Sequence, residues 1–177
     1  TTASGESSTA LGYYSVASGG YGAIAMGNQT RASGNNSTVM GEGGTASGAA
    51  STAMGRGTKA SDYASLVIGQ YNSSGSSVTS NATAFSTANT AFVIGNGVDG
   101  NASDAFKVMF NGDTTVSNDL TVNGDVVVSS DVYAAGLNIG GTAITSTAAE
   151  LNILSGVTST SAELNLNDGS SAGTVVN

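Results

Sequence analysis

The sequence predicts an all-β protein assembled from thin, repeated layers, and three observations predict it. Side chains are small throughout: Gly, Ser, Ala and Thr fill 99 of the 177 positions, while aromatic residues make up 6%. The first part of the chain repeats with a period of about 14 residues, marked by Gly12, Gly27, Gly41, Gly55 and Gly69. From Asp113 the period shortens to six, with Asp113, Asp119, Asp125 and Asp131 opening successive hexads. A chain this poor in large apolar groups cannot fill one broad core at interior packing density, so burial has to come in narrow layers. Disorder fits less well, because only 9% of residues are charged and Pro is absent, whereas solvated linkers carry charge or Pro.

Composition also narrows the chemistry. With neither Cys nor His, the chain forms no disulfide, no thiolate or imidazole metal site and no histidine-based triad. No cofactor and no metal are expected, and no nucleophile has an identifiable base beside it, so the chain does not read as an enzyme. The net charge is −8 and the four cations, Arg31, Arg56, Lys59 and Lys107, are scattered along the sequence, which disfavours a nucleic-acid partner. No apolar run approaches the length of a membrane span, so no membrane insertion is expected in this segment. A chain that begins at Thr1 without Met and stops at Val175-Val176-Asn177 reads as a segment of something longer.

Five units stack in the first part: ASGESSTALGYYSV (3–16), ASGGYGAIAMGNQTR (17–31), ASGNNSTVMGEGGT (32–45), ASGAASTAMGRGTK (46–59) and ASDYASLVIGQYNS (60–73). A sixth, STANTAFVIG (86–95), follows a Ser/Asn-rich insertion. The ninth position is always large and aliphatic, as Leu11, Met26, Met40, Met54, Ile68 and Ile94, and is expected to be the core column. The eighth is Ala or Val, and the seventh runs Thr9, Ile24, Thr38, Thr52, Leu66, Phe92. Four such residues ending in Gly read as a short strand with alternating faces. Fourteen residues hold two short strands and two turns, with glycines at the turns. Six buried side chains at about 1.5–3 kcal/mol each do not obviously outweigh the ordering entropy of so many residues. Self-association is therefore expected to bury a second face, most of all where Thr gives way to Leu66 and Phe92. An ice-binding Thr array is disfavoured by the interruption at Ile24.

The ASGxxSTAMGxxxx units resemble the head repeats of YadA-like trimeric adhesins over residues 3–72 and, less closely, 86–95. The resemblance implies a left-handed parallel β-roll and three chains assembled side by side. Heads of this type occur on bacterial surfaces and in bacteriophage tail fibres, so the resemblance speaks to architecture more than to function.

In the hexads DTTVSN, DLTVNG, DVVVSS and DVYAAG, apolar residues alternate and a polar turn recurs every six positions, which predicts short strands around a tight axis. Such a bundle has no core of its own, so several chains are expected to wind together. The pattern resembles the shaft sequences of phage fibre proteins. The Asp ladder suits turn chemistry better than calcium, which would call for a glycine-rich nonapeptide pattern. Next come STAAELNILSGVT (146–158) and STSAELNLNDGSS (159–171). In each, Thr147 and Glu150, or Thr160 and Glu163, stand at capping-box spacing, which predicts two short helices. This capping explains the two glutamates better than a glycosidase pair does, and the tandem unit resembles sequences of phage structural proteins.

The expected organisation is therefore YadA-like head repeats over 1–72, a Ser/Asn-rich insertion over 73–85, and a last head-like repeat with a transition over 86–112. A hexad-repeat, intertwined β shaft over 113–144 and tandem capped helices over 145–177 follow. The expected function is that of a structural segment of a homotrimeric phage tail fibre, extracellular on the virion, contributing to host attachment. A bacterial trimeric autotransporter adhesin on the cell surface is the alternative, disfavoured because hexads stand where a neck and heptad coiled coil would begin. Partners would be further copies of the chain and a host cell-surface glycan or protein. Tyr13, Tyr14, Tyr21, Tyr63 and Tyr71 are the receptor-binding candidates, since a tyrosine ring offers both an apolar face and a hydroxyl; the same rings would equally serve to cover repeat edges.

Overall fold

The computed structural model describes residues 1–146, and every regular element among them is a β-strand. The predicted helices and their capping residues Thr147, Glu150, Thr160 and Glu163 lie outside the described residues. The chain divides into two compact units, Thr1–Asn123 and Gly124–Asn177.

The first unit is a β-roll in which short and long strands alternate. In chain order these are β1 (Thr2–Ala3), β2 (Thr9–Tyr13), β3 (Val16–Ala17), β4 (Ile24–Asn28) and β5 (Arg31–Ala32). They continue as β6 (Thr38–Glu42), β7 (Thr45–Ala46), β8 (Thr52–Arg56), β9 (Lys59–Ala60) and β10 (Leu66–Gln70). The short strands stack in parallel as a five-stranded sheet, and the long ones stack in parallel beside them. Register follows the repeat residue for residue, so that Thr38↔Thr52, Val39↔Ala53, Met40↔Met54 and Gly41↔Gly55 pair across β6 and β8. The sixth unit continues the long sheet as β11 (Thr90–Asn96), with Ile68 opposite Ile94 and Gly69 opposite Gly95. There the direction reverses: β12 (Asp104–Met109) and β13 (Thr114–Val116) add antiparallel, giving an eight-stranded sheet.

The core between the two sheets is narrower than the ninth-position expectation required. It is lined by Ala17, Ala32, Ala46 and Ala60 from the short sheet and by Ala25, Val39, Ala53, Val67 and Val93 from the long one, all fully buried. These long-sheet residues are the eighth column. Because successive strand residues face opposite sides, the expected core column of Leu11, Met26, Met40, Met54, Ile68 and Ile94 points away from the roll interior. Leu11 is 65% exposed and the other five are half-buried. A coil with only two short strands per turn brings its sheets too close for opposed Met or Leu side chains. Buried hydroxyls complete the interior: Ser37, Ser51 and Ser65 each donate to the carbonyl three residues earlier, at 2.7, 2.7 and 2.9 Å, and so close one turn of each coil.

Two ladders of left-handed residues carry the turns. Ser7, Gly22, Asn36, Ala50 and Ala64 form one; Tyr14, Gln29, Gly43, Gly57 and Tyr71 form the other, all at positive φ. The repeat glycines are constrained in a different way. Gly41 has φ +120°, and a Cβ there would lie 2.1 Å from the carbonyl oxygen of Gly55 in the next coil.

The five-stranded sheet stops after β9, and side chains take over its backbone pairing. Buried Asn72 accepts a hydrogen bond from the Lys59 amide and donates to the Lys59 and Ser74 carbonyls, each at 2.8 Å. Fully buried Asp62 stands where earlier units have Gly, and its carboxylate accepts from the amides of Thr79 at 2.6 Å and Thr90 at 2.8 Å. Asn89 pairs likewise with the amide and carbonyl of Asn81. The Ser/Asn-rich insertion is thereby tied over the end of the roll, and its Phe85 packs edge-on against Phe110 at 5.3 Å between centroids.

The hexad segment departs from the strand expectation. Its first hexad supplies β13, which belongs to the first unit, but no strand forms between β13 and Leu137. Val126 and Val132 are 68% and 70% exposed. A six-residue alternating run becomes a strand only where a neighbour accepts its hydrogen bonds, and a single chain offers none here. In the second unit, β14 (Leu137–Ile139) and β15 (Thr142–Ile144) form a hairpin across Gly140 and Gly141, both at positive φ, the conformation that a two-residue hairpin turn favours.

Candidate functional site

The outer face of the eight-stranded sheet is the most extensive candidate surface. Since the eighth column points inward, the seventh and ninth point out together. Strand register sets Leu11, Met26, Met40, Met54, Ile68 and Ile94 side by side, and pairing carries the row on through Phe106 and Val116. Next to it runs Thr9, Ile24, Thr38, Thr52, Leu66, Phe92, Val108 and Thr114. Phe92 and Phe106 meet edge-on at 5.9 Å, locking the two rows together where the strand direction reverses. No side chain in either row is charged. Neighbouring strands lie about 4.8 Å apart, so each residue is partly covered by its neighbours along the row and the face is half-buried before anything docks on it.

Phe106, Val108 and Val116 were not assigned to this surface by the repeat pattern, because the repeat ends at residue 95. The signal that could have found the first two is the alternation of Phe106 and Val108 with Ala105 and Lys107. Nor did the pattern single out Asp62, although it breaks the run of ASG openings.

The five tyrosines do not converge. Tyr13 and Tyr14 lie at the first coil, 63% and 67% exposed, with their rings edge-on at 4.3 Å. Tyr71 occupies the same turn ladder as Tyr14 but four coils away, about 19 Å at one strand spacing per coil. Tyr21, also exposed, and half-buried Tyr63 belong to the opposite turn, three coils apart. Tyr71 is the best held of the five: its ring lies against Gly57, where a Cβ would come within 2.5 Å of Cε1, and the Arg56 guanidinium stands 5.7 Å from its centroid. Arg56 also pairs with Glu42 at 3.5 Å on the exposed strand ends.

Among the described residues no group of three or more acidic, His or Cys side chains lies together in a way that could hold a metal ion. No helix there is long and apolar enough to cross a membrane.

A parallel roll of 14-residue coils, with an interior of Ala and Val and an apolar outer sheet face, defines a β-solenoid. The family model of the YadA head domain repeat matches residues 3–21, 19–42 and 46–72. Residues 3–72 are thus YadA-like head repeats, and the match ends where the Ser/Asn-rich insertion begins. Searches of curated proteins and of solved structures return no match.

Proposed function

We propose that the chain is a segment of a homotrimeric adhesive fibre, of the phage tail-fibre type, that contributes to attachment at a host surface without catalysing a reaction. The observation that carries this reading is the uncharged apolar face spanning all eight strands from Leu11 to Val116. An open face of this extent on a roll whose apolar interior is built from Ala and Val alone favours burial between copies of the chain. Three copies packed on that face would bury the ninth column, and continuation of their hexad segments side by side would give the exposed valines their strand partners. Multi-angle light scattering of the assembled fibre should return three chains, and a stable monomer would overturn the proposal.

The head repeats themselves support a second reading, a bacterial trimeric autotransporter adhesin on the cell surface. The complete reading frame discriminates the two. A secretion signal upstream and a membrane barrel downstream would establish the adhesin; neighbouring virion genes would establish the fibre.

A further inference from the structure

The end of the roll carries a cavity of about 380 Å³, within the range of small-molecule sites, formed where the turn ladder meets the hairpin between β11 and β12. Its walls include the Tyr71 ring, Lys59, Ser76 and Asp99. The floor is bare backbone at Gly43 and Gly57, the two coils in which the ladder has no side chain. Elsewhere that ladder carries Tyr14 and Gln29 at the same backbone conformation; the Tyr71 ring takes the space that a side chain at Gly57 would fill, and at Gly43, with nothing within 4 Å of an added Cβ, the space beside it stays open.

We propose that this cavity binds a single neutral pyranose unit, with Tyr71 as the stacking face and Lys59, Asp99 and Ser76 as hydroxyl partners. This deepens the adhesive reading and rests on it. The chemistry selects the ligand. A pyranose presents a face of C–H groups and an edge of hydroxyls, which an amphipathic aromatic ring beside hydrogen-bonding groups matches. Tyr71 has Gly57 backbone and Arg56 against it, which fixes the ring at little conformational cost on binding. Lys59 and Asp99 have no ion-pair partner among the described residues, since the one ion pair there joins Glu42 and Arg56. One donates and the other accepts, and together they add no net charge, which suits a neutral sugar over an anionic one. The Ser76 hydroxyl donates to the Ser73 carbonyl at 2.7 Å and keeps its lone pairs free to accept. Asn72, also in the wall, takes no part, because its amide is committed to Lys59 and Ser74.

The test is saturation-transfer NMR and calorimetric titration of the intact chain with the methyl glycosides of glucose, galactose, mannose and N-acetylglucosamine. At least one should bind with a millimolar dissociation constant, with transfer concentrated on one ring face. Tyr71→Ala should weaken it tenfold or more, while Tyr71→Phe should stay within threefold. Asp99→Ala, on the exposed hairpin turn, should weaken it at least threefold and decides the matter if Tyr71→Ala does not fold. Binding of none of the four glycosides, or binding indifferent to Asp99→Ala and to any folded Tyr71→Ala protein, would overturn the proposal. Normal attachment of an Asp99→Ala fibre, with no glycoside bound by the parent chain, would refute the cavity alone and leave the adhesive reading standing.

Discussion

Replacing Gly41 with Ala should damage the roll far more than replacing Gly43, two residues away. Gly41 sits at φ +120°, a region that L side chains rarely adopt, and holding Ala there costs about 1–3 kcal/mol. Its Cβ would lie 2.1 Å from the Gly55 carbonyl oxygen, so the next coil must retreat by roughly 1.3 Å to reach ordinary contact. That retreat opens the ladder between β6 and β8, and two weakened hydrogen bonds at about 1 kcal/mol each bring the total to about 3–5 kcal/mol. At about 3 °C per kcal/mol for a chain of this length, the midpoint of thermal unfolding should fall by about 9–15 °C. Gly43 also has positive φ, +65°, but nothing lies within 4 Å of an added Cβ, and Tyr14, Gln29 and Tyr71 show that the ladder accepts side chains. Gly43→Ala should cost about 1–2 kcal/mol. Both variants are measured by calorimetry at one protein concentration, since assembly makes the midpoint concentration-dependent. Equal losses from the two changes would refute the close-packed ladder.

The remaining predictions concern the cap, the outer face and the exposed tyrosines. Asp62→Ala leaves the amides of exposed Thr79 and buried Thr90 without their carboxylate partner, at about 1–3 kcal/mol for the Thr90 amide, which stays buried; hydrogen exchange at both should accelerate, and unchanged protection would contradict the anchoring role. Asn72→Ala removes three hydrogen bonds at the edge of β9 and should raise exchange at the Lys59 amide while leaving the β4–β6 ladder protected. Met54→Glu places a charge in the middle of the apolar row and should dissociate the assembled fibre to monomers by sedimentation while retaining the β-type circular dichroism; an intact oligomer would move the interface elsewhere. Tyr13→Ala with Tyr14→Ala should reduce attachment to host cells without dissociating the fibre, and unchanged attachment would assign those rings to edge covering.

The sequence by itself determined the period, the register and the class of this fold. A glycine every 14 or 15 residues, preceded by a large aliphatic residue and before that by Ala or Val, admits one stacking in which like residues pair with like, and the structure pairs Met40 with Met54 and Gly41 with Gly55 accordingly. The tyrosine candidates were legible as residue types, and their separation along the roll follows from counting coils. Which face of each strand looks inward was decided by tertiary structure. Alternation assigns residues to two sides without naming them, and size suggested that Leu11, Met26 and their successors fill the interior. The spacing between the sheets admits Ala and Val instead, so the large column faces out. The closure of the roll was likewise decided in three dimensions. Asn72, Asp62 and Asn89 are ordinary polar residues in a Ser/Asn-rich stretch until the end of a sheet leaves amides and carbonyls that only side chains can satisfy. The hexads carry the alternation of strands, yet alternation alone supplies no hydrogen-bond partner, and only an adjacent strand turns such a run into a sheet.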